Sequence, residues 1–442
     1  MTTPIYDFVN KYAEKNCVRL HMPGHKGKNV IGCETFDITE FSGADELYMP
    51  SGIIAESEKN ASAVFGAQTF YSAGGSTLCI QAMLYLIKMH AATQNKKAKI
   101  LSGRNAHKAF VNAAALLDIE IGWIYPKSGV YHSGIADADM VEKAIEAEKP
   151  TAVYITSPDY LGNISDISKI AKICRENNVI SAVDNAHGAY LKFLPQSAHP
   201  IDLGADICCD SAHKTLPVLT GGAYLHIGES APGIFFERAK EAMALFGSSS
   251  PSYLILESLD RFNSYAKKYK IKLNSLISEI SDMKTVLKNH GFDVIGDEPT
   301  KVTVKTKTFG YTGFQIAKIL EENEIYTEFC DSDFLVMMFS PSNGGDDIRR
   351  TENVLLSVRK RDPINTFPPQ VTKPKRELSP HEAIFAQSEY VDTEKCIGRI
   401  CAQTAVSCPP AVPIVVCGEI IDKTAAESLK YYGIKKCRVI CK

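Results

Sequence analysis

The sequence predicts an α/β protein: a large domain on a mostly parallel sheet, followed by a smaller α+β C-terminal domain. Three observations carry this. Short apolar and β-branched runs alternate with helical patterns through the middle of the chain. One long helical stretch then runs from Pro251 to about Gly291. Beyond it the pattern changes to brief strands and amphipathic helices.

The elements follow in order. SAGGST (72–77) is a turn before the helical run LCIQAMLYLIKMHAA. KAKILSG (97–103) reads as a strand and NAHKAFVNAAALL as a helix. TAVYITS (151–157) is a strand, ISKIAKICRENN a helix, and VISAVD (179–184) another strand. ADICCD (205–210) and GAYLHIG (222–228) follow. After the long helix come KVTVKTK, a helix at GFQIAKILEENE, the strand FLVMMFS and a helix at DDIRRTENVLLSVRK. The stretch RDPINTFPPQVTKPKRELSP, with five prolines, reads as a connector. The expected divisions are a segment 1–60, a large domain 61–290, a small α+β domain 291–362, the connector 363–380 and a module 381–442.

Composition narrows the function classes. With 442 residues the chain is long enough for about two or three domains. Lys+Arg is 49 against 51 Asp+Glu, a net charge of −2, so no basic excess points to nucleic acid or an anionic membrane. No apolar stretch suggests a signal peptide or a transmembrane helix. The 13 cysteines are odd in number, scattered and often inside apolar runs, and no CxxC pair has metal spacing. They read as reduced thiols of a cytoplasmic protein, with no metal site.

The chemistry starts from Lys214, in DSAHKTLPVLTGGAYLH directly after an apolar strand. Burying an ammonium is costly, so an amine here calls for a task. Asp184 stands at the end of an earlier strand, and strand C-termini are where open α/β sheets place ligands. A lone strand-end aspartate is ordinarily a helix cap. Paired with the lysine it suits pyridoxal phosphate (PLP): the amine holds the aldehyde and the carboxylate keeps the pyridine nitrogen protonated. A phosphate needs donors at a helix start. Gly74 and Gly75 permit close backbone approach, and Ser76 and Thr77 offer hydroxyls and N–H groups. Ser211 and His213 are further candidates.

These motifs in one order resemble the ornithine/lysine/arginine decarboxylase family, PLP enzymes of the aspartate aminotransferase fold (fold type I). The resemblance runs from RLHMPGHKG (19–27) through TEFSGADELYMPSG (39–52), RNAHKAF (104–110), SPDYLGN (157–163), DNAHGAY (184–190), SAHKT (211–215) and SPSYLILESLD (250–260) to CGEII (417–421). It implies that Lys214 carries the cofactor, Asp184 meets the pyridine nitrogen, His187 sits near the phenolic oxygen and His107 stacks on the ring. Gly75, Ser76, Thr77, Ser211 and His213 would hold the phosphate. His21 and His25 would line the site mouth, and Ser249 and Ser250 would reach a neighbouring subunit's phosphate. Segment 1–60 would line the site and the interface of a homodimer or a multiple of dimers.

The chain departs from the family pattern where Leu78 and Cys79 follow Thr77 without a glycine. It departs again in PPAVP (409–413) and CGE (417–419), with Ala411 and Cys417 in place of glycine and proline. The implied reaction is α-decarboxylation of arginine, lysine or ornithine to CO2 and a di- or polyamine, with Lys214 or His213 returning the proton to Cα. Glu419 is the first candidate for the substrate's distal cation, with Glu328 and Asp331 behind it. Aminotransferase or lyase chemistry on the same fold shares the lysine–aspartate pair and stays open at this point. So does a non-catalytic PLP-fold binding protein.

Overall fold

The computed structural model describes residues 1–442 except 16, 127–130, 132–135, 409–411 and 442. Ala411 therefore lies outside the described residues. The chain divides into two compact units, Met1–Ala98 with Pro150–Tyr154 and Ile167–Lys270, and Lys99–Lys149 with Ile155–Asp166 and Ile271–Lys442. Elements are numbered along the chain.

The first unit opens with α1 (Pro4–Ala13) and α2 (Ile53–Phe65). Asp45 starts α2: its carboxylate accepts the N–H groups of Ser51, Gly52, Ile54 and Ala55, donors that a helix start leaves orphaned. Strands β1 (Gln68–Ser72), β7 (Ala223–Ile227), β6 (Ile207–Asp210), β5 (Ile180–Asp184) and β4 (Ala152–Thr156) lie side by side in that order. β5 and β6 are parallel, with Asp184 opposite Cys209. β7 runs antiparallel to both β6 and β1. The turn between β6 and β7 holds only α7 (Ala212–Thr215), too short for the crossover a parallel return would need.

α3 (Gly75–Thr93) is buried nearly all round, through Leu78, Cys79, Ile80, Met83, Leu84, Leu86 and Ile87. That explains its weak polar face: the helix lies inside, packed by α8 (Gly233–Ala244) and the sheet. α6 (Ile167–Glu176) is strongly amphipathic and covers β5. α9 (Tyr253–His290) begins in this unit, where Tyr253 donates to the Asp45 carbonyl and Asp260 accepts the Tyr6 N–H.

In the second unit β2 (Lys99–Gly103) and β3 (Glu120–Ile124) are parallel and joined through α4 (Lys108–Leu116); α5 (Ala138–Glu148) follows. β8 (Asp293–Ile295), β9 (Lys301–Lys305), β10 (Phe329–Cys330) and β11 (Phe334–Met338) form a four-stranded antiparallel sheet in the order β10-β11-β9-β8. α10 (Gly313–Glu321) packs on it, closed at its N-terminus by a Thr312–Gln315 capping box, and α11 (Gly345–Ser357) packs on α10.

The C-terminal module holds α12 (Pro380–Phe385), β12 (Ser388–Asp392), β13 (Ala405–Cys408), β14 (Val412–Val416), α13 (Lys423–Tyr431) and β15 (Lys436–Ile440). Its small core gathers Cys396, Cys401, Ile414, Val415, Leu429, Cys437 and Val439. Of the 13 cysteines, 12 have described side chains; these are free thiols, and among them only Cys17 is exposed. Among the described residues no helix is long and apolar enough to cross a membrane.

Candidate active site

The site is assembled at strand ends of the first unit. Asp184 ends β5 and is 2% exposed. Burial would be costly for a bare carboxylate, so its oxygens are supplied: the Tyr154 hydroxyl donates to Oδ2 at 3.0 Å and the Ala186 N–H to Oδ1 at 3.2 Å. The chain then turns sharply, with the Gly188 N–H bonded to the Asn185 carbonyl. A Cβ at Gly188 would overlap the Asn185 side chain, so only glycine fits this turn. The turn presents His187, whose Nε2 lies 3.0 Å from Lys214 Nζ. Lys214 sits in α7, immediately beyond β6, half-buried.

The donor turn stands at the start of α3. Ser72 Oγ accepts the Gly74 N–H and donates to the Gly75 carbonyl, closing the turn. Gly75 has φ of 68°, in the left-handed region, and its N–H bonds to the Gly221 carbonyl. Ser76 and Thr77 thus fall in the first turn of a 19-residue helix, where free N–H groups and the helix dipole favour an anion. Ser211 Oγ lies 2.8 Å from Ser76 Oγ. His213 is committed locally: both its backbone N–H and its Nδ1 reach the Gly222 carbonyl. Ser250 lines a cavity of about 200 Å³ together with Gly74 and Thr77 of its own chain, while Ser249 is exposed.

An amine, a buried carboxylate and a paired-serine helix start are the donor set that PLP requires: a carbonyl partner, a partner for the ring nitrogen and an anion cradle. The sequence matches the family model described as Orn/Lys/Arg decarboxylase, major domain, over residues 3–295, and the corresponding C-terminal domain over residues 361–436. The chain belongs to the Orn/Lys/Arg decarboxylase family. It is a PLP-dependent decarboxylase of fold type I.

Similar curated proteins include the arginine decarboxylases of Halalkalibacterium halodurans (27% identical, covering 96% of this chain and 91% of that protein) and Bacillus subtilis (27%, 97% and 92%). The uncharacterized protein YaaO of B. subtilis is 29% identical over 97% of this chain and 94% of its own. Among solved structures, the Francisella novicida lysine decarboxylase superposes with TM-score 0.82 at 16% identity, covering 99% of this chain and 81% of that one.

The family's expected ring-stacking residue, His107, belongs to the second unit. It caps α4, with its Nδ1 accepting the Ala109 N–H at 3.1 Å. His25, in the first unit, bonds Asp37 at 3.2 Å and takes the Gly27 N–H on its Nδ1. His21 lies 2.6 Å from the Tyr12 hydroxyl.

Two carboxylates expected to read the substrate have other work. Glu419 is 0% exposed and forms a bidentate ion pair with Arg104, at 3.0 Å and 2.7 Å, while its Oε2 also takes the Val416 N–H. A carboxylate so engaged is not a free partner for a substrate cation. Asp331 is buried, and its Oδ1 accepts the N–H groups of Asp333 and Phe334, closing the turn before β11. Glu328 is exposed at the rim of a cavity of about 350 Å³ that it shares with Asp347 and Arg350.

Sequence reading missed Arg104 and Tyr154. Both had a signal: an arginine at the end of an apolar strand needs a counter-charge, and a tyrosine within a buried strand needs an acceptor.

Proposed function

We propose that the chain decarboxylates a dibasic amino acid, arginine ahead of lysine and ornithine, releasing CO2 and an amine of the kind from which polyamines are made. The observation that carries the site assignment is the joint placement of Lys214 beside His187, Asp184 one strand away, and the Ser76–Ser211 pair at the start of α3. Support for arginine comes from the relatives named arginine decarboxylase, which align over more than nine-tenths of their length.

When bound, PLP supplies an electron sink for the pair left behind as CO2 departs. Lys214 would hold its aldehyde, Asp184 would pair with its ring nitrogen, and Gly75, Ser76, Thr77, Ser211 and His213 would hold its phosphate. His187 would face its phenolic oxygen. Asp184 would set its carboxylate against the ring nitrogen and so favour positive charge there. Lys214 Nζ would be the group to return a proton to Cα, with His187 Nε2 3.0 Å away. With Glu419 and Asp331 engaged internally, Glu328 is the remaining candidate among the three for the distal cation. Arg349, which an aminotransferase reading would assign to the α-carboxylate, is exposed and paired with Asp346.

The working form is a cytoplasmic homodimer or a multiple of it. Its support is the apolar surface of the N-terminal segment, where Val18, Leu20, Val30 and Ile31 are each more than 80% exposed. In that form His25 would line the site mouth, and Ser249 and Ser250 would contribute to the neighbouring subunit's phosphate site. The test is to incubate PLP-loaded protein with arginine, lysine and ornithine and to identify the products. CO2 and the matching amine are expected; a keto acid would refute decarboxylation. Borohydride should fix the cofactor on Lys214, and an adduct on another lysine would sink that assignment. Light scattering should give a multiple of twice 48.5 kDa.

A further inference from the structure

Beneath the lysine, one carboxylate ties together the strands that carry the site. Asp210, the last residue of β6, is fully buried. Its Oδ2 accepts from His199 Nε2 at 3.1 Å and from His226 Nε2 at 3.2 Å, and its Oδ1 accepts from Asn185 Nδ2 at 2.6 Å. On the far side, His226 Nδ1 lies 2.9 Å from Thr69 Oγ1. Asn185 directly follows Asp184 at the end of β5, His226 lies on β7, and Thr69 lies opposite it on β1. The line Asn185–Asp210–His226–Thr69 therefore crosses β5, β6, β7 and β1.

Each of these strands borders the site. β5 ends in Asp184. β6 leads into Ser211 and Lys214. β7 starts from the Gly221–Gly222 turn, whose carbonyls hold Gly75 and His213. β1 leads into the Ser72–Ser76 turn.

His199 Nδ1 is buried with no hydrogen-bond partner, and its Nε2 is the ring atom turned to Asp210. Burial holds His226 below the usual histidine range, which leaves its Nδ1 to accept the Thr69 hydroxyl. Burial also pushes the Asp210 carboxyl up, but His199 and His226 outweigh it and keep the group well below the usual carboxylate range. Cys208, His199 and Asp210 bring possible metal-ligand atoms within 4.8 Å of one another. Asp210 Oδ2 is already taken by two imidazole N–H groups, so a hydrogen-bonded anion accounts for the cluster.

We propose that Asp210 is a positioning residue for the cofactor: through Asn185 and His226 it sets the spacing between Asp184, on the ring-nitrogen side, and Ser76, Ser211 and Lys214, on the phosphate and aldehyde side. This rests on the reading of Lys214 and Asp184 as PLP partners. The backbone link between β5 and β6 closes with the Asn185 N–H on the Cys209 carbonyl. The Asn185–Asp210 side-chain bond adds a second tie at the same end of the two strands.

The test compares wild type, Asp210→Asn and the milder Asn185→Ala as PLP-loaded proteins, measuring PLP affinity, the visible absorption band, melting temperature and metal content. In Asn185→Ala only the link to β5 is cut, so it should melt close to wild type. It should bind PLP about tenfold more weakly, a difference of about 1.4 kcal/mol. Its absorption band should shift, and kcat should fall with KM unchanged. Asp210→Asn should show the same changes, larger.

A variant Asn185→Ala with lowered melting but unchanged PLP affinity and band would reduce the network to scaffolding and overturn the proposal. One equivalent of tightly bound zinc in wild type would overturn it too. If Asp210→Asn does not fold, Asn185→Ala decides. Failure of wild type to take PLP on Lys214, seen by borohydride trapping, would instead refute the site assignment, so the two failures are separable.

Discussion

Replacing Glu419 by glutamine separates a substrate reader from a structural anion. Arg104 and Glu419 are 1% and 0% exposed, so water cannot compensate either charge. Glutamine keeps the shape and one acceptor but removes the negative charge. That leaves the guanidinium with the Ile414 carbonyl and the face of Trp123, whose ring centre is 4.6 Å away. Breaking a buried pair by removing one partner costs about 3–5 kcal/mol, and the remaining carbonyl and ring place the expected loss near the lower end, about 3 kcal/mol. Denaturant titration of the PLP-loaded protein should show the midpoint falling with an unchanged slope. KM for the basic amino acid in the folded variant should stay within about twofold of wild type. Replacing both partners, Arg104→Met with Glu419→Leu, should recover most of the stability, because an apolar pair carries no desolvation cost. Wild-type stability in Glu419→Gln together with a tenfold or larger rise in KM would refute the structural assignment and return Glu419 to the substrate.

Asp184→Asn should leave melting nearly unchanged but cost about 3–4 kcal/mol in the barrier to decarboxylation, since an amide cannot offset charge on the ring nitrogen; near-normal turnover would mean another residue serves there. Asp45→Ala should cost about 2–4 kcal/mol at neutral pH by orphaning the N–H groups at the start of α2. Burial raises the Asp45 carboxyl, but the N–H groups of Ser51, Gly52, Ala55 and Glu46 outweigh it and lower its pKa. Its contribution is therefore present above about pH 4 and lost as pH falls through the folded value, so the gap between wild type and variant should close in acid. Glu257 behaves oppositely: burial, then Asp260 and Asp37, push its carboxyl up to about 8. The stability of the wild-type protein should therefore decline relative to Glu257→Gln as pH rises from about 4.5 to 8, by about 1.4 kcal/mol per pH unit, and a gap constant with pH would contradict the assignment.

What the sequence made legible was local. Lys214, Asp184 and His187 declare themselves because a strand's apolar run ends abruptly in chemistry, and the Gly-Gly-Ser-Thr turn does so because it opens a helix. The strand β7 was visible, but its direction was not, since direction depends on whether the preceding turn can span the sheet. Glu419 was seen as a carboxylate on rigid backbone, and that much holds. Its partner stands 315 residues earlier, and one sequence contains nothing that pairs two such distant charges. The same holds for Asp210: His199 and His226 are unremarkable in the chain and become its partners only when β6, β7 and the loop carrying His199 close up. Asp331 stood behind Glu419 as a candidate, and its closing of a turn is decided by backbone geometry that residue type does not specify.

The thiols offer a practical handle. Burial pushes Cys79, Cys174 and Cys417 up to about 12, so these groups stay protonated and slow toward alkylating reagents at neutral pH. Cys17 alone among the cysteines with described side chains is exposed. A maleimide dye should therefore couple there first in the native protein. It would report on the same N-terminal segment whose apolar side chains face solvent, so its emission and its reactivity would both change when that surface is covered by a second subunit.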